Sequence, residues 1–357
     1  MKAALLAFLA AAAAAPFRDW SDYRFEDYVT EFGKVHADGE IASRKASFEK
    51  ELAAVNKHNE EYRAGQHTWY ATINKFSDWT ELEFKTVKGK ASLPKEQHNV
   101  AVLLKEQKNP ARKDWRDEGV VTPPKNQGAC GSCWTFAATE VLESHLAINT
   151  GKLLTLAPQT FVNCVKNPKE CGGQGGCEGA TAELAFNYTA ESGIALEADL
   201  PYRGQNEKCK KYKPAAKDTG YAHLPSNDAD ALETALATKG PVAVSVAANW
   251  GRYGGGIFSG GCKEKDCSID HAVVAVGYAP DYWLIRNSWG AAWGEKGYIR
   301  LSRKSDTTTY IDTQPADGYV CKPYPKEVPV AGESGVLSDS CYPTGVAPVT
   351  DPAAVVV

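Results

Sequence analysis

Cys133 has the most chemistry to offer in this chain. It follows Gln127-Gly128-Ala129-Cys130-Gly131-Ser132 and precedes Trp134, at a point where a helix is expected to begin. Unsatisfied N–H groups and the dipole at a helix N-terminus favour thiolate over thiol, and the thiolate is the nucleophile. Cys130-x-x-Cys133 has three chemical readings: half a zinc site, a redox pair, or a nucleophile beside a disulfide cysteine. Zinc needs two further ligands at matching spacing, and no second Cys-x-x-Cys or His-x3-5-His exists. A redox pair wants a thioredoxin-like βαβ setting, which is missing. The nucleophile reading is the strongest.

A nucleophile needs a base, and the chain has 7 histidines. His36, His58, His67 and His98 precede the first cysteine, in a charge-rich segment, and read as solvated. His145 lies twelve residues along the helix that starts at Cys133, roughly 18 Å away and out of proton-sharing range. His223, just before Pro225, also reads as solvated. His271 heads the apolar strand Ala272–Tyr278 and is the base by elimination. A catalytic imidazole must be oriented. Asn287, in Arg286-Asn287-Ser288-Trp289-Gly290 after the next strand, offers an oxygen for one ring N–H. Trp289 and Trp293 would shield that bond from water.

The positioning elements follow from periodicity. Phe25, Tyr28, Val29 and Phe32 share one helical face, and Phe48, Leu52 and Val55 mark a longer helix from Glu40. Residues 67–73 read as a strand, and 85–110 as an exposed, lysine-rich connector open to proteolysis. A helix from Thr135 to Ile148 ends at Gly151. Residues 163–180 form a cysteine-rich loop, followed by a helix over Thr181–Tyr188 that holds the sequon at Asn187. From Pro241 strands dominate: Val242–Ala247, Ala272–Tyr278, Tyr282–Arg286 and Gly297–Leu301. A helical half followed by a β-rich half implies two lobes, and lobe junctions are where clefts lie.

The whole chain is 357 residues, 43% hydrophobic and 24% charged, with formal net charge −4. That balance argues against a nucleic-acid partner, and no apolar run reaches membrane-spanning length. Met1-Lys2 followed by Ala3–Ala15 and Pro16 reads as a secretory leader over 1–15, which sends the protein to an oxidising compartment. All 10 cysteines lie from Cys130 onward. An uncrosslinked part over 16–109 therefore precedes a crosslinked part over 110–345. The tail over 346–357 reads as uninformative.

Taken together, Cys133, His271 at 138 residues on and Asn287 at 154 residues on resemble the papain-like cysteine proteases of the cathepsin L type. The resemblance runs from about Trp20 to Thr344. It implies an α+β, papain-like two-lobe fold, helical lobe plus β-barrel-like lobe, preceded by a helical prosegment. It implies a cysteine endopeptidase with protein and peptide substrates, made as an inactive proenzyme with its own prosegment as inhibitor. Cys133 is then the nucleophile, His271 its imidazolium partner, Asn287 the orienting residue and Gln127 an oxyanion donor. Neither metal nor other cofactor is implied, and a monomer in the lysosome, vacuole or exterior is expected. Glu40, Arg44, Phe48, Val55 and Asn59, then Asn74, Phe76 and Asp78, match the prosegment motifs. Glu51 stands where asparagine is usual, and Thr72 where glycine or alanine is common.

By the same resemblance, Gly179, Ala180, Thr181, Ala182, Ser245, Ile269, Ala272, Trp289 and Asp339 bind substrate. Small or apolar walls in the S2 pocket suit an apolar P2 residue, and an ionised Asp339 on its floor would tolerate arginine. Ala180 replaces a usual glycine, which matters only if that position needs positive φ. Cys130–Cys177 and Cys164–Cys209 are the implied disulfides of the helical lobe, with Cys262–Cys321 in the β lobe. Cys171, Cys267 and Cys341 are left over. The alternative is a catalytically inactive papain-fold binding protein, against which Gln127, Cys133, His271 and Asn287 are all present.

Overall fold

The computed structural model describes residues 17–88, 108–264 and 266–350. The leader over 1–15, His98 and residues 351–357 lie outside the described residues. The first segment folds as α1 (Phe25–Glu31), α2 (Ile41–Arg63), β1 (Trp69–Ala71) and α3 (Glu81–Lys85). Then come β2 (Lys113–Asp114), α4 (Cys133–Thr150), α5 (Pro158–Cys164), α6 (Ala182–Ser192), β3 (Ala216–Lys217), β4 (Tyr221–His223) and α7 (Ala229–Thr238). The last part holds β5 (Val242–Val246), β6 (Tyr253–Phe258), β7 (His271–Ala279), β8 (Tyr282–Arg286) and β9 (Tyr298–Ser302). It ends with β10 (Thr309–Asp312), β11 (Val328–Ala331), β12 (Ser340–Pro343) and β13 (Ala347–Pro348).

Helix α4 is apolar on most faces and is buried from Cys133 to Ala147, as a central core helix must be. It stops where Gly151 turns left-handed at φ 72° and returns its N–H to Ala147. Helices α5 and α6 complete this lobe, with the Thr181 hydroxyl capping α6 at Leu184 N. The second lobe is a sheet ordered β1-β6-β9-β8-β7-β5-β12-β4, with β2 beside β7. β7 is buried along its whole length, and α4 packs on it. The papain-like two-lobe α+β architecture is therefore present, and its junction lies at the start of α4 and of β7.

The prosegment enters that sheet rather than resting on it. β1 pairs antiparallel with β6, Trp69 opposite Gly256. Buried Asn59 on α2 clamps β1, its Nδ2 donating to Ala71 O and its Oδ1 accepting from Ala71 N. Glu51 forms an ion pair with Arg252 at 2.9 Å, so the departure from asparagine there ties α2 to the β lobe.

Several expectations need correction. Of the expected exposed connector, Lys85, Thr86, Lys108 and Pro110 are exposed, but Lys85 still closes α3, Val87 is buried at 1% exposed and Lys88 is half-buried. The described prosegment histidines are not solvated: His36 lies 3.1 Å from Asp78, His58 stacks between His67 and Trp69, and His67 meets Glu61. His223 is not solvated either: it sits on β4, mostly buried. The tail over 346–350 continues the fold, since β13 pairs with β3 and Val346 is buried. Cys262 pairs with Cys267 rather than Cys321. Lys263 and Asp266 exchange backbone hydrogen bonds, which brings those two cysteines together. Cys321 is carried across to Cys171 instead. The Cys130–Cys177 and Cys164–Cys209 bonds are formed, and Cys341 is buried outside any disulfide.

Candidate active site

Cys133 opens α4 with its side chain fully buried, and its Sγ accepts from Ala272 N at 3.3 Å. Ala272 follows His271 on β7, so one backbone bond holds the sulfur beside the imidazole. His271 Nε2 meets Asn287 Oδ1 at 2.8 Å, leaving Nδ1, buried and not hydrogen-bonded among the described residues, as the nitrogen available to sulfur. Asn287 is held in turn by Ser288 N, which donates to the same Oδ1. The Trp289 ring stacks on His271 with centroids 5.0 Å apart, and Trp293 lies edge-on to Trp289. Burial pushes His271 down to about 4, partly offset by the Asn287 bond. An imidazolium here therefore needs an anion beside it.

Gln127 is held by both ends of its amide. Its Oε1 accepts from Ser288 Oγ at 2.6 Å, and its Nε2 donates to Cys130 O at 2.8 Å. The same Nε2 donates to the prosegment carbonyl Val87 O at 2.9 Å, and Trp289 Nε1 reaches that oxygen at 3.3 Å. The Val87 carbonyl thus occupies the Gln127 amide and the Trp289 indole N–H together. Next along the chain, Lys88 makes an ion pair with Asp270 at 2.9 Å, immediately before His271. The prosegment occupies the centre of the site.

The other site residues fall in two groups. Gly179 takes a positive φ of 86°, whereas Ala180 does not, so alanine fits its position without strain. Thr181 spends its hydroxyl on the α6 cap, with Ala182 at the first turn. Ser245 and Ala272 are directly opposite on β5 and β7, and Ile269 is buried just before β7. Asp339, before β12, is almost wholly buried; it accepts from Ser245 Oγ at 2.6 Å and pairs with His223 Nε2 at 2.8 Å. Asn187 is exposed on α6, one turn after Glu183. His145 is buried and bonded to Pro241 O, not to the site.

Sequence reasoning missed the surroundings of Asp339. Glu183 lies 3.9 Å from His223 Nε2, and burial together with the Asp339 charge pushes its carboxyl up, against the pull of His223. Burial works against a charged His223, but the bond and charge of Asp339, aided by Glu183, outweigh it and raise His223 to about 9. A carboxylate at the second residue of α6 carried no visible signal toward Asp339, 156 residues further along the chain. Glu183, His223 and Asp339 have ligand atoms within 4.8 Å of one another, as do His58, Glu61 and His67. In both groups an imidazole nitrogen is already engaged, by Asp339, Trp69 O or Glu61, so ion pairing accounts for the geometry.

Comparison with known proteins gives two family matches. Residues 109–318 match the papain family cysteine protease model, and residues 25–84 match the cathepsin propeptide inhibitor domain. A cathepsin L-like proteinase of Phaedon cochleariae is 36% identical over 302 residues, 80% of this chain and 91% of its own. Procathepsin L of Mus musculus is 36% identical over 294 residues, 76% of this chain and 84% of its own. Among solved structures, digestive procathepsin L2 from Tenebrio molitor larval midgut superposes with TM-score 0.75 at 32% identity. The match covers 89% of this chain and 98% of that one. A recombinant stem bromelain precursor gives TM-score 0.73 at 32% identity, covering 90% and 97%.

Proposed function

The chain belongs to the papain family of cysteine proteases, of the cathepsin L type with an inhibitory propeptide, and from that premise we propose how its residues divide the work. The Cys133 thiolate attacks the scissile carbonyl, and His271 is the imidazolium beside it. Gln127 Nε2 and the Cys133 N–H hold the tetrahedral oxyanion. His271 then protonates the leaving amine, giving a thioester. Water, deprotonated by the same imidazole, attacks that thioester and returns the sulfur. Asn287 keeps the ring turned so that Nδ1 faces the sulfur. The bond from Gln127 Nε2 to Val87 O carries this reading, because the propeptide presents a carbonyl to the donor the reaction needs.

The leader pattern and the four disulfides support a route through the secretory pathway, to the lysosome, vacuole or exterior. At P2 the S2 walls suit apolar side chains. Arginine is a second choice there, because the Asp339 carboxylate is already engaged by His223 and Ser245.

Acid incubation of the purified proform, read with a Phe-Arg fluorogenic peptide, tests the assignment. Wild type should shorten by the prosegment mass and gain activity that a thiol-alkylating reagent abolishes, while Cys133→Ser should gain none. A trimmed wild-type protein that cleaves nothing would favour the inactive binding-protein alternative.

A further inference from the structure

Between β10 and β11 the chain leaves the β lobe over residues 313–327 and is fastened to the helical lobe. Cys321 is bonded to Cys171, 150 residues earlier. Beside that bond, Lys322 N donates to Lys169 O at 3.1 Å, Tyr324 OH to Glu170 O at 2.8 Å, and Lys322 pairs with Glu170 at 2.6 Å. The excursion is a covalent strap joining the lobes.

Both anchorages lie on the walls assigned to substrate. On the β side, Ile269 N donates to Asp312 Oδ2, and Gly318 packs so closely on Ile269 that a Cβ would stand 2.9 Å from its carbonyl oxygen. Tyr319 packs in the cluster that contains Ile269, and its phenol meets Ser338 and feels the charge of Asp339. On the helical side, Asn167 Nδ2 donates to Cys171 O and Gly173 O. That loop lies against the substrate edge, with Gln174 N donating to Glu178 O and Gly175 N to Gly179 O at 2.7 Å. The strap therefore starts at Ile269 and Asp339 and ends behind Glu178 and Gly179.

We infer that this strap closes the non-primed end of the cleft outside S2, so that peptide positions P1 and P2 are accepted and P3 and beyond are resisted. Tyr319 is the specificity-determining residue, forming the outer wall of S2, and the Cys171–Cys321 bond fixes it there. A flexible loop would cost little to push aside; a strap bonded at its middle and hydrogen-bonded at both ends would have to break contacts. The inference rests on the S2 assignment under Proposed function.

The test compares two fluorogenic peptides with the same Phe-Arg at P2 and P1 on acid-converted enzyme. One begins at P2 with a free amine, and the other carries three further residues at P3–P5. In wild type, kcat/KM for the extended peptide should be at least tenfold below that for the short one. The Cys171→Ser/Cys321→Ser double variant should raise the extended-to-short ratio about tenfold, chiefly through a lower KM for the extended peptide. Tyr319→Ala, which keeps the disulfide, should raise the ratio in the same direction and guards against misfolding of the double variant. Mass spectrometry of the assayed sample reads the disulfide. A wild-type ratio near or above one, or a ratio unmoved in both variants, would overturn the inference. Cleavage of neither peptide by wild type would instead overturn the active-site reading beneath it.

Discussion

In the zymogen Gln127 Nε2 holds Val87 O, and in the proposed mechanism the same nitrogen holds the oxyanion. Gln127→Ala should lower kcat of the converted enzyme by roughly 10²–10³, the usual cost of one lost oxyanion donor. It should also weaken inhibition by the propeptide added in trans. A kcat within threefold of wild type would remove the residue from the mechanism. On the proposed S2 assignment, His223, paired with Asp339 at 2.8 Å, would compete as a cation with a P2 arginine for that carboxylate. His223→Gln should raise the Arg-Arg over Phe-Arg cleavage ratio about tenfold, worth ~1.4 kcal/mol. Adding Asp339→Asn should cancel the gain, and a ratio indifferent to both changes would place Asp339 outside the pocket. Gln127, Cys133, His271 and Asn287 were legible because their side-chain chemistry is rare and their order along the chain is distinctive. His223 was not, because histidine beside a proline looks the same whether its partner is water or a distant carboxylate.

At the scale of elements, the propeptide is held by a strand that the mature sheet accepts as its own edge. β1 is only three residues long, and Asn59 on α2 supplies both of the hydrogen bonds that fix Ala71 from behind. Asn59→Ala leaves a buried N–H and a buried carbonyl without that partner, at a cost of about 1–3 kcal/mol. Conversion of the variant should therefore begin at a higher pH than in wild type, measured by gel and by thiol-sensitive activity. An unchanged conversion profile would mean that β1 contributes little to inhibition. The long helices and β7 were legible from their periodicity. The β10–β11 hairpin was not, because its strands are short and partly exposed and its connection is polar, which gives no alternation to read.

Across the whole molecule, buried ionisable groups bias stability toward acid. Asp218 is buried with Oδ2 lacking a partner among the described residues, and burial raises it to about 8. Its unfolded pKa is near 4, so the folded state binds the extra proton between those values and stability falls as pH rises through the window. Glu183 acts in the same direction. His223, raised to about 9, contributes stability that is complete below its unfolded value near 6.5 and is lost as pH climbs toward 9. His145 and His271 are held down to about 4 by burial, so they oppose this trend only below pH 6.5. Between pH 6.5 and 8 the proform should thus lose stability, by roughly 3 °C in Tm if the net loss is about 2 kcal/mol. A calorimetric Tm that is flat or rises over that range would contradict the assignment, and Asp218→Asn should flatten the slope if it holds.

The sequence by itself determined which residues do chemistry, that two lobes flank them, and that an uncrosslinked helical segment precedes them. Those features depend on residue type, local periodicity and order, all of which one chain displays directly. Only the tertiary structure decided which buried groups meet. It brought Asp339 to His223 and Glu183, Cys171 to Cys321 rather than Cys262 to Cys321, and Val87 O to Gln127. Each of those pairs joins segments far apart in the chain, and cysteine spacing alone does not fix a pairing. Their partners are set by how the strands and loops pack, and that is a property of the folded core rather than of any stretch of sequence.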